Sequence, residues 1–202
     1  MTRMFPYVLT LRAPAIFDSA RGDPNTGLTE HYVPGSAIRG AVAAAVANDA
    51  QGLQTLVLSG RVCYLNAYPE VGGRRSLPAP RSWKREKSED LWHDLAAAGT
   101  SGEDLRDGDV RFATHDAPTP RRALVKTSSR VHHQRDRVKG RAWKEVKEDE
   151  TEEPHGALFV YESVAAGQRF AGVVVVHGEN EEGIRERYQQ VRQAVRGQLW
   201  LG

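Results

Sequence analysis

The run Val173-Val174-Val175-Val176 constrains the fold of this chain more than any other four residues. β-Branched side chains lose rotamer freedom in a helix and pack well on a pleated surface, so the run specifies a strand. Being apolar on both faces, it belongs at the buried centre of a sheet. Its flanks extend the pattern. Residues 157–163 read as a strand, and Ala165-Ala166-Gly167 predicts a hairpin joining them to 168–177. Beyond the run, Asn180 is placed to cap a helix over 181–196. Acids open that helix and Arg192 and Arg196 close it, matching the helix dipole, while Ile184, Tyr188, Val191 and Val195 form one apolar stripe.

Upstream, residues 4–12 alternate, with Phe5, Tyr7, Leu9 and Leu11 on one side and Thr10 and Arg12 on the other. Alternation predicts a half-buried strand and argues against a secretion signal, which Arg3 and Ala13-Pro14-Ala15 faintly imitate. Ser36 is the expected N-cap of a helix over 37–48, whose stripe is Ile38, Val42, Ala45 and Val46. A short strand is expected over 61–67, with Val62, Tyr64 and Asn66 on one face. Pro78 and Pro80 keep the next segment extended. Ser88, Glu89 and Asp90 predict a modest helix over 88–98, and residues 130–134 read as a further strand.

In order, these elements spell βαββαβ, an α+β ferredoxin-like (RRM-like) domain over 1–202. Helices would cover one sheet face and leave the other free. Insertions fall at about 68–128, and a basic-then-acidic arm at about 135–155. The last strand is expected to be incomplete, because the sequence stops at Leu199-Trp200-Leu201-Gly202. Either the chain is the N-terminal part of a larger protein or a partner supplies the missing strand.

Composition narrows the function classes. Hydrophobic residues at 40% and charged residues at 27% are ordinary for a globular chain, and no apolar run is long enough to span a bilayer. Cys63 stands alone and no Cys/His spacing suggests zinc, so no cofactor is expected and a reducing cytoplasm fits. Net charge is only +2, but it is unevenly spread. Residues 121–147 hold ten Lys/Arg against Asp136 and Glu145, and residues 74–87 hold six against Glu86 alone. Concentrated positive charge on an otherwise acidic chain points to a polyanion or to a pair of solvated loops.

The sharpest motif is Tyr32-Val33-Pro34-Gly35-Ser36-Ala37-Ile38-Arg39-Gly40, a turn feeding a helix. Free amides there, with a hydroxyl and Arg39 one turn in, suit a phosphate or a backbone carbonyl. The same residues also suit a well-capped helix whose glycines allow a tight turn and close packing. The Pro-Gly-Ser-x-Ile-Arg-Gly entry resembles the RAMP superfamily of CRISPR-associated proteins. Asn66-Ala67-Tyr68-Pro69, then Leu77-Pro78-Ala79-Pro80-Arg81-Ser82-Trp83 and a lysine, look most like its type III-D branch. So does Gly156-Ala157-Leu158-Phe159-Val160-Tyr161-Glu162 followed by Gly167-Gln168-Arg169-Phe170-Ala171-Gly172. The resemblance runs from the first strand to Gly202, with nothing recognisable over 88–120. It implies a type III effector subunit that holds the 5′ handle of the guide RNA and contacts neighbouring effector subunits, including the large signature subunit, in antiviral defence. Gly35, Ser36 and Arg39 match the family motif and are carried over as RNA-binding candidates, and Arg81 and Lys84 join them.

The residues themselves add Arg130, His132, His133, Arg135, Arg137, Lys139 and Arg141, with Trp143 nearby. Cations mixed with stacking groups suit single-stranded RNA, although an arm that meets an acidic neighbouring subunit has similar composition. The sheet is not that of a conventional RNA-recognition motif, since Arg169-Phe170-Ala171-Gly172-Val173 lacks the aromatic pair. The alternative is a RAMP-type endoribonuclease, with His132 and His133 as acid and base or with Asp18 or Asp23 in the loop after the first strand. Adjacent strand residues point to opposite faces, so the two histidines do not readily share one phosphate. No catalytic residue is therefore expected. Reversing Arg135, Arg137 and Lys139 to Glu is expected to weaken RNA binding and flatten its salt dependence, measured by titration at several ionic strengths.

Overall fold

The structure, a computed structural model, describes residues 1–18, 26–86, 92–97, 105–107, 110–115, 120–133, 158–197 and 199–201. In chain order the elements begin with β1 (Thr2–Thr10), β2 (Thr26–Gly27), α1 (Gly35–Ala45), α2 (Ala50–Leu53) and a π-turn (Gln54–Leu58). The strands β3 (Val62–Tyr64), β4 (Tyr68–Val71), β5 (Arg74–Arg75), β6 (Leu77–Pro78) and β7 (Trp83–Glu86) follow. Then come β8 (Trp92–Asp94), β9 (Leu105–Asp107), β10 (Phe112–Ala113), β11 (Arg122–Ala123) and β12 (Thr127–His133). The chain closes with β13 (Leu158–Val164), β14 (Arg169–His177) and α3 (Glu181–Ala194). The class is mixed α/β, rich in antiparallel strands, and the residues group into two units.

The first unit (1–10, 32–125 and 168–202) is built on β14. Along one edge, β14 pairs antiparallel with all of β1, from Thr2↔His177 to Thr10↔Arg169. β3 and β4 share its other edge, at Val176↔Val62 and Phe170↔Pro69. Val42, Leu56, Val62, Val174, Val176, Ile184 and Val191 form the core between this sheet and its helices. Phe5 stacks on Tyr188 of α3 with ring centroids 3.8 Å apart. α3 forms as expected: Asn180 Oδ1 accepts the Gly183 amide at 2.8 Å, and Ile184 and Val191 are buried. The valine run is central, but only Val174 and Val176 are fully buried. Val173 and Val175 face the other side of the sheet, where Met4 is 69% and Val8 50% exposed. Backbone pairing alternates along β1. Gly178 donates to the Met1 carbonyl and His177 to that of Arg61 on the opposite edge of β14, so odd-numbered residues of β1 bond to β14 and Pro6 faces outward.

Two small sheets, β11-β10-β6 and β8-β7-β9, complete the first unit. The second shows that the helix expected over 88–98 does not form where it is described. Trp92–Asp94 pairs with β7, and Asp94 Oδ1 accepts the Ala96 amide at 3.0 Å in a turn. An Asp that bonds its own downstream backbone ends an element, which explains the misreading.

In the second unit (11–31 and 126–167), β13 pairs with β12 over seven residues and with β2 in parallel. Glu162 holds its loop, accepting the Thr29 amide at 3.3 Å, and the Thr29 hydroxyl accepts the Phe17 amide at 2.9 Å. The expected hairpin of 157–163 with 168–177 is therefore absent: β13 and β14 lie in different sheets. The intervening bend is held by its own unit, with the Gly167 amide on the Leu11 carbonyl (2.7 Å) and Ala165 on Lys126 (2.9 Å). Two long registers outcompete one short turn.

The Tyr7 hydroxyl is buried without a hydrogen-bond partner among the described residues, and burial raises its pKa to about 12 against the opposing charge of Arg75. Tyr7→Phe is expected to leave stability within about 0.5 kcal/mol or to raise it, because an unsatisfied group is removed. Ile184→Ala, which empties the core under α3, is expected to cost about 2–5 kcal/mol. Urea unfolding measures both.

Candidate nucleic-acid interface

The helix entry is turned largely inward. Pro34, not Ser36, is the N-cap, with no side-chain capping bond, and α1 opens at Gly35. The Gly35 amide donates to Asn66 Oδ1 at 2.8 Å, and a Cβ on Gly35 would collide with the Tyr64 carbonyl. The capping oxygen thus comes from the strand connection thirty-one residues away, and Ser36 stands exposed on the first turn. Arg39 Nη2 donates to the Val57 carbonyl at 3.1 Å, so its guanidinium is partly occupied at the surface.

The Asn66-Ala67-Tyr68-Pro69 segment is the other half of this joint. Val33 and Ala67 exchange two backbone hydrogen bonds of 2.9 Å. Arg75 Nη2 donates to the Asn66 carbonyl at 2.9 Å and Nε to that of Ala171 at 3.2 Å, with the guanidinium 4.9 Å above the Tyr68 ring. The two segments are therefore one physical assembly, in which Gly35 is packed inside and Ser36 and Arg39 are exposed.

The basic strand is different. All residues of β12 after Thr127 are exposed, Val131 by 67%. Thr127–His133 contains the expected 130–134 strand except Gln134, which lies outside the described residues. Register places Arg130 opposite Tyr161 and His132 opposite Phe159, so these four share one face of the β12–β13 pair. His132 meets the Tyr161 ring edge-on, with centroids 5.6 Å apart. On its far side Tyr161 covers Gly27, where a Cβ would lie 2.7 Å from the ring. The glycine lets the phenol lie flat across the sheet while 43% of the residue stays exposed. A guanidinium, an imidazole and a phenol aligned on an open face can neutralise phosphate and stack on bases. His133 and Val131 take the opposite face.

Arg81 lies exposed in the turn before β7, and Lys84 is half-buried within β7. Arg135, Arg137, Lys139, Arg141, Trp143, Asp23 and the acidic run 148–153 lie outside the described residues. Asp18 forms only an isolated bridge with Thr29. Among the described residues no cluster of His, Cys, Asp and Glu could hold a metal, and no helix is long and apolar enough to cross a membrane. Sequence reasoning missed Tyr161 and Asn66 as site residues. Two positions could have pointed to Tyr161: its place in an alternating strand, and Gly27 in a turn-rich segment.

No family model matches the sequence, and no curated protein matches it. Among solved structures, the chain is similar to one from the cryo-EM structure of the apo state of Type III-B Cmr-beta. The two share 12% identity at a TM-score of 0.45, over 91% of this chain and 87% of that one.

The reassigned cap has a direct test. Asn66→Ala strands the Gly35 amide and is expected to cost about 1–3 kcal/mol, whereas Ser36→Ala should change stability by less than about 0.5 kcal/mol. Thermal unfolding of both variants measures the difference, and the reverse ranking would restore Ser36 as the cap.

Proposed function

We propose that this chain is an RNA-binding subunit of a type III CRISPR effector complex, holding the 5′ handle of the guide RNA. The observation that carries the RNA-binding part is the exposed row Tyr161–Arg130 with His132 beside it, at the start of the most basic segment of the sequence. Membership of the complex, and contact with other subunits including the large signature subunit, rest on the motif resemblance. The sheet favours the same reading. β1 and β3 flank β14 and are both antiparallel to it, α1 lies between them in sequence, and α3 follows β14. That arrangement matches the first three strands and both helices of a ferredoxin-like sheet. A cytoplasmic site of action accompanies the reading, and the free, half-buried Cys63 is compatible with it.

The proposed role is non-catalytic. His132 and His133 project from opposite faces of β12, so the two do not readily share one phosphate. The chain purified with its neighbouring subunits is expected to retain an RNA with a constant 5′ end. Arg130→Glu should weaken binding several-fold and reduce the salt slope by about one. Labelled repeat RNA and guide-complementary RNA should remain intact on incubation. Cleavage abolished by His132→Ala would establish the endoribonuclease alternative instead.

A further inference from the structure

The small β8-β7-β9 sheet has two chemically different faces. Register pairs Trp83 with Asp94, Lys84 with His93 and Arg85 with Trp92. Alternation then puts Trp83, Arg85, Trp92 and Asp94 on one side and Lys84, Glu86 and His93 on the other. The second side is settled by its own hydrogen bond, between His93 Nε2 and Glu86 Oε1 at 2.6 Å. The first collects aromatic rings. Trp83 and Trp92 lie 6.2 Å apart at 57°, and the His115 ring lies 4.8 Å from Trp83 at 47°. The Arg122 guanidinium sits 6.0 Å from the centre of the Trp92 ring. Both tryptophans are only half-buried, and His115 and Arg122 are exposed.

A tryptophan pair that only fastened the sheet to its neighbours would be expected to bury both indoles. Here the rings are tilted against each other rather than stacked, and both keep part of their surface in solvent. The surroundings select the charge of a ligand. Arg85 shares the aromatic side, Arg122 lies at the Trp92 ring, and Glu86 is engaged on the opposite side. Asp94 shares the aromatic side and is tied into its own sheet, its carboxylate accepting from Ser82, the Ala96 amide and the Trp83 indole. Indoles and an imidazole edged by guanidinium groups favour a π-face attached to a phosphate chain over an acidic or apolar peptide.

We infer that Trp83, Trp92, His115 and Arg122 form a base-stacking platform for unpaired nucleotides of RNA, separate from the β12–β13 row. The inference rests on the RNA-binding reading above and extends it to the first unit. A segment reading shape or phosphate alone would have no use for the indoles. The platform instead recognises bases without regard to sequence, since every base presents a π-face.

The test compares an oligoadenylate with the same ribose-phosphate backbone lacking bases, each titrated against the full chain while indole fluorescence and affinity are read. The wild type is expected to prefer the base-bearing oligomer by about 5- to 150-fold per stacked base, with quenching on binding. Trp92→Leu should remove most of that preference, Trp92→Phe should retain most of it, and both should keep the salt slope. Arg122→Gln, at an exposed position, gives a second variant should Trp92→Leu fail to fold, and it should also reduce the preference. A folded Trp92→Leu variant with undiminished preference overturns the platform and leaves the β12–β13 row standing, whereas equal affinity of the wild type for both oligomers overturns the platform and base stacking on that row, leaving only phosphate contacts. Absence of binding to either oligomer overturns both readings.

Discussion

Pairing of β14 along both edges is the constraint from which the first unit is organised. Nine residues of β1 align with it on one side, and β3 and β4 divide its other side between them. β-Branched residues make the strand stiff, and Val174 and Val176 supply the surface against which Ile184 and Val191 of α3 and Val42 of α1 close. Everything that gives α1 its position passes through this sheet. β3 is set by β14, Gly35 is seated on the Tyr64 carbonyl at the end of β3, and Asn66 just beyond fixes the first amide of the helix. The helix that carries the outward residues Ser36 and Arg39 is thus seated by the hydrogen bond between Gly35 and Asn66.

That joint also shows how a polar cluster can be kept half-buried at little cost. Arg75 satisfies two carbonyls and lies over Tyr68, whose ring packs against Tyr32 and Phe112 at 5.6 and 5.5 Å. A guanidinium with two fixed acceptors and an aromatic face beneath it loses less on desolvation than an ammonium would. Lysine at position 75 could not reproduce the fork. The contrast with β12 is informative, because Arg130 and His132 stand on an exposed strand.

Much of this was legible in the sequence where the pattern was long. The alternation of residues 4–12, the valine run and the Asn180-capped stripe all correspond to observed elements, since each summed many weak preferences in one direction. Short segments misled. Residues 88–98 carry helix-start chemistry, yet Trp92 and His93 pair with β7. The bend at 165–167 looks like a hairpin turn but separates two sheets, because pairing partners distant in sequence leave no local trace. The site was legible as composition and not as geometry. Arg130 and His132 were found from charge, whereas Tyr161 acquires its significance from a register, and Asn66 from a contact with Gly35 across thirty-one residues.

The outward-facing Pro6 bears on how the molecule meets copies of itself. β1 is paired along one edge only among the described residues, and Met4 and Val8 on its sheet face are exposed to solvent. A long strand of this kind is a template on which like chains can zip into fibrils. Pro6 sits at the middle of that template and offers no amide hydrogen. It leaves Thr2 and Met4 on one side and Val8 and Thr10 on the other, too short a row on either side to hold a stray strand alone. A strand added along this rim would lose one hydrogen bond at its middle, so a single imino acid makes the rim a poorer template for self-assembly.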